Sequence, residues 1–64
     1  MMQLNLQPNI PDADGFYAEL INAQRDLNDE QADMFLAKLS LILANHIGDR
    51  AVLSEALVLA RGKR

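Results

Sequence analysis

His46 is the only histidine in the chain, and there is no cysteine. A thiolate metal site, a disulfide framework and a cysteine nucleophile are therefore excluded. One imidazole cannot by itself build a His-rich metal site. No serine lies at a motif spacing from His46, and the nearby Asp49 has a simpler task as a helix cap. At the end of a helix, a protonated imidazole interacts favourably with the helix dipole. His46 therefore reads as structural rather than catalytic. Acids gather at Asp26, Asp29, Glu30 and Asp33, and Asp12-Ala13-Asp14-Gly15 resembles a fragment of a calcium loop. Neither group has the twelve-residue spacing, central glycine and terminal glutamate of an EF-hand. No glycine-rich phosphate loop and no nucleophile motif occurs. The reading is a non-enzyme with no catalytic residue, no cofactor and no metal.

The elements that carry these residues follow from composition and pattern. The chain has 64 residues, 7.1 kDa and an apolar half. That length allows one domain. A domain this short buries only about 60% of the surface its unfolded chain exposes. Such a core rarely supplies more than about 3–5 kcal/mol without a staple. With disulfides absent, oligomerisation is the staple that remains. Eleven Leu and nine Ala, against two Val and no Thr, favour helix over strand. Residues 1–33 hold seven acids against Arg25 alone; residues 34–64 hold five bases against Asp49 and Glu55. Most of the acids suit helix caps and first turns. The two halves could also attract each other, within a chain or between chains. No signal-peptide pattern and no run long enough to span a membrane is visible. This reading places the chain in the cytoplasm, away from membranes.

Residues 1–11 read as an extended arm, because Pro8 and Pro11 push their predecessors away from helix. Leu4, Leu6 and Ile10 are expected to dock on the helices or on a partner. Residues 12–64 read as a small all-α, three-helix domain: a helical hairpin plus a third helix. Asp12 caps a first helix over about Ala13 to Arg25, with Phe16, Tyr17, Leu20, Ile21, Ala23 and Leu27 on one side. Asn28 with Gln31 three residues on forms a capping box for a second helix, Asp29 to about Ile47. Gly48 ends that helix, and Asp49 caps a third over about Arg50 to Arg61, stopped by Gly62. The third helix should bury Val52, Leu53, Ala56, Leu57, Leu59 and Ala60.

The second helix has two apolar sides. Its main stripe, Ala32, Phe35, Leu36, Leu39, Ile42, Leu43 and Ile47 with His46 inside it, should face the other two helices. A separate line, Met34, Ala37, Leu41 and Ala44, has the 3-4-3 rhythm of a helix–helix seam. That seam is the expected interface, since two short neighbours cannot cover both sides. The alternative cover is the N-terminal arm. The Gly48-Asp49 junction also invites a helix-turn-helix reading, with Arg50 and Arg61 on the recognition helix. Asp49 and Ser54 sit where that motif is usually apolar, and a sequence pI near 4.7 argues against nucleic acid.

Leu41-Ile42-Leu43-Ala44-Asn45-His46-Ile47-Gly48-Asp49, preceded by Phe16-Tyr17 and by Leu27-Asn28-Asp29-Glu30, resembles a family of short bacterial proteins known only as a domain of unknown function. The likeness runs from about Pro11 to Arg61. It implies a compact helical protein with no established activity, and an accessory role beside flavin-dependent oxidoreductases. The family brings no catalytic residues with it. It marks Asn45, His46, Gly48 and Asp49 at the hinge as family-like polar positions. The resulting expectation is a protein–protein interaction module. It would be an accessory or regulatory small subunit that forms a homodimer, or binds a larger protein such as an oxidoreductase, through its second helix. The alternative is a small helix-turn-helix-like DNA-binding regulator.

Overall fold

A computed structural model describes residues 4–62. Three helices follow one another: α1 (Ala13–Ala23), α2 (Asp29–Ile47) and α3 (Arg50–Arg61). The described residues contain no strand. The all-α, three-helix reading holds, and the bounds of α2 and α3 fall where their caps place them.

Each helix start is built from local chemistry. Asp12 sits in the left-handed region (φ 53°), and its carboxylate accepts from the Gly15 amide at 3.2 Å. Glycine at that position leaves room for the capping carboxylate: a Cβ on Gly15 would lie 2.1 Å from Asp12 Oδ2 and would push that side chain aside. Asn28 and Gln31 form the full capping box. The Gln31 amide donates to Asn28 Oδ1 at 2.8 Å, and the Asn28 amide donates to Gln31 Oε1 at 3.0 Å. Asp49 Oδ1 accepts from the amides of Ala51 and Val52, at 3.0 and 3.1 Å.

The first helix is shorter than its apolar pattern suggests and does not include Arg25. Its last turn tightens, with the Gln24 and Arg25 amides donating three residues back to Ile21 and Asn22. Asp26 then adopts φ 72° and turns the chain toward Asn28. Gly48 and Gly62 close α2 and α3 in the same left-handed geometry, at φ 74° and 82°.

The helices touch only locally, and no two pack along their lengths. The radius of gyration is 13.5 Å, where a compact chain of this length would have about 10.7 Å. Val52 is the only buried apolar side chain among the described residues. Leu4, Leu20, Ala32, Phe35, Leu39, Leu53 and Ala56 are half-buried.

Several expected core positions are therefore open. Leu36, Ile42, Leu43, His46 and Ile47 of the main α2 stripe are exposed. In α3, Leu57 is 71% exposed, and Leu59 and Ala60 are exposed as well. The physical reason is one of reach. Val52, Leu53 and Ala56 lie within the first seven residues of α3, nearest the α2 joint, and no helix packs along the remainder. The arm meets α3 rather than α2: the Leu4 amide donates to Glu55 Oε1 at 2.8 Å. Leu4 is half-buried, but Leu6 and Ile10 stay exposed, so only one of the three arm residues docks.

Candidate functional site

A capping box and a left-handed glycine set α2 as a straight span of 19 residues, roughly 28 Å long at 1.5 Å per residue. Six large apolar side chains lie exposed along it: Met34, Leu36, Leu41, Ile42, Leu43 and Ile47. Leu41, in the middle of the seam, is 72% exposed and Met34 57%. Ala37 is exposed and Ala44 half-buried. The four seam residues thus lie along one side of α2, and the arm does not cover Met34 or Leu41.

The hydroxyl in the middle of this surface is internally satisfied, and the charged Asp33 lies on the same line one turn before Ala37. Ser40 lies between the seam and the Leu36–Leu43 line, and its hydroxyl donates to the Leu36 carbonyl at 2.9 Å. The backbone of α2 is hydrogen-bonded within the helix, with its first turn served by Asn28 and its last by Gly48. A neighbour could therefore cover the surface without leaving Ser40 unpaired.

The hinge residues fall at the end of α2 and in the joint. Asn45 and His46 are exposed in the last turn, Gly48 is the C-cap and the half-buried Asp49 caps α3. The geometry gives these residues a backbone role through Gly48 and Asp49, and assembles no acid–base pair around His46. Among the described residues, no group of three or more His, Asp or Glu is placed to hold a metal ion.

A helix-turn-helix motif joins its two helices through about 3–4 residues, whereas only Gly48 and Asp49 separate α2 from α3. Arg50 donates to the Ser54 hydroxyl at 2.7 Å along α3. Glu55, which enters the sequence reading only as one of the two acids of residues 34–64, accepts from the Leu4 amide of the arm. No rule of local spacing could have found a bond between residues 51 apart.

The extent of the open surface can be measured. A folded 7.1 kDa protein exposes roughly 4,100 Å², but this chain exposes 5836 Å². Among the described residues, no helix is long and apolar enough to cross a membrane.

Fold and surface together define a small all-helical chain with an incomplete core and an apolar central helix. Residues 4–62 match a family described as a protein of unknown function, DUF2783. The chain belongs to that family. No curated protein and no solved structure gives a significant match.

Proposed function

We propose that this chain is a non-enzymatic protein–protein interaction module, an accessory or regulatory small subunit acting in the cytoplasm. Its central helix would serve as the docking face, either for another copy or for a larger protein such as an oxidoreductase. Leu41 and Met34 would anchor the contact, and Ala37 and Ala44 would permit close approach of a facing helix.

One observation carries the reading. The chain exposes about 1,700 Å² more than a compact monomer of its mass, and six large apolar side chains of that surface belong to α2. Apolar patches of more than a few hundred Å² on folded proteins mark interaction sites or membrane contacts.

Sedimentation velocity at micromolar concentration tests the proposal, with binding of an apolar-surface dye measured on the same samples. The wild type is expected to sediment as an assembly. Leu41→Asp is expected to run as a monomer that binds more dye. A wild-type monomer that binds no dye would mean that the chain completes its own core, and would overturn the reading.

A further inference from the structure

We infer that the occupant of the α2 face is a second copy of this chain, running antiparallel about a two-fold axis near residue 39. The inference rests on the proposed interaction role and names the partner within it.

Four observations carry it. The first is area. The excess surface of about 1,700 Å² is shared among α2, the arm and α3, and it exceeds the roughly 1,000 Å² that each partner buries in the smaller obligate homodimers.

The second is self-complementarity. Ala37, Ser40 and Ala44 follow one another at helical spacing, with Met34 and Leu41 on one flank and Leu36 and Leu43 on the other. An antiparallel copy centred near residue 39 sets Met34 against the partner's Ala44 and Ala37 against the partner's Leu41. The same register sets Leu36 near the partner's Leu43. Large thus meets small on the seam, and the small residues permit a close approach of the helix axes, about 8 Å. A two-fold interface requires that each contact occur twice with the roles exchanged, and this register satisfies it. A parallel pair would instead place Ala37 on Ala37 and Leu41 on Leu41, leaving a gap beside a crowded pair.

The third is dryness. Ser40 lies closest to the axis, and its hydroxyl is already spent on the Leu36 carbonyl. Burial there orphans nothing. The fourth is charge. Asp29, Glu30 and Asp33 begin α2, whereas His46 ends it and Arg50 opens α3. An antiparallel partner brings the three acids to the end that holds His46, Asp49 and Arg50, where Arg50 offsets part of their charge. A parallel one stacks acid on acid.

The absence of cysteine makes the test direct. Met34→Cys and Ala44→Cys chains are oxidised separately and as an equal mixture, and the cross-linked peptides are identified by mass spectrometry. The expected product is the 34–44 disulfide, formed only in the mixture. In the antiparallel register, two copies of position 34 lie about 15 Å apart along the axis, beyond the reach of a disulfide. Disulfides formed by each variant alone would show a parallel pair and overturn the inference. A nitroxide pair at Asn45→Cys, on an exposed residue at the flank of the paired face one turn beyond Leu41, gives a second measurement. Antiparallel chains place the two Cα atoms about 20 Å apart, and parallel chains about 10 Å. A wild type that sediments as a dye-binding monomer would overturn the homodimer and leave the interaction role standing.

Discussion

Asn28 shows how much one side chain decides. Its oxygen takes the Gln31 amide, and its own amide is taken by the Gln31 side chain. Without it, the first turn of α2, which carries the proposed docking face, loses a partner for one of its free N–H groups. Asn28→Ala is therefore expected to cost about 1 kcal/mol. A lower urea midpoint at fixed protein concentration, with an unchanged m-value, would report it. These residue-scale features were the most legible in the sequence. A cap is a short-range bargain between a side chain and amides two or three residues away, so Asp12, Asn28 and Asp49 could each be placed from spacing alone. The close approach of Asp12 to Gly15 was not visible. It depends on the left-handed φ of Asp12, which a side chain does not announce.

At the scale of elements, the joint between α2 and α3 consists of Gly48 and Asp49. Gly48 holds φ 74°, with its nearest obstacle, the Asn45 carbonyl, 3.7 Å from where a Cβ would stand. Space is available there, so the penalty for a side chain is conformational. Gly48→Ala is expected to destabilise the fold by about 1 kcal/mol or somewhat more. The check is the denaturation midpoint, compared with Gly62→Ala, where fraying of the last turn should soften the loss. Helix existence and the bounds of α2 and α3 were readable because capping and periodicity are local, whereas α1 stops at Ala23, short of its apolar pattern. The core was less so. Leu57, Leu59 and Ala60 share the periodicity of a buried face, but periodicity says only that a face is apolar, and a neighbour must still arrive to bury it. The same holds for Leu36, Leu43 and Ile47 on α2. The seam of Met34, Ala37, Leu41 and Ala44 was found from its spacing, and the structure leaves three of its four residues exposed.

At the scale of the whole molecule, the described residues bury one apolar side chain, so the proposed docking would add to the stability of the fold. If a second copy completes the core, folding and association are one equilibrium. The midpoint of thermal unfolding should then rise with protein concentration, by a few degrees for each tenfold increase. Circular dichroism melts over a hundredfold concentration range would measure this. A midpoint independent of concentration would count against a self-associating fold. The bond from Leu4 to Glu55 has a consequence of a different kind, through its isolation. Every other side-chain hydrogen bond among the described residues spans four positions or fewer. Chains with such local contacts form their helices within microseconds to milliseconds. Helix formation is then not what sets the pace of assembly. Under the proposed homodimer, the slow event is the encounter of two chains, a second-order process whose half-time would shorten as the number of copies rises.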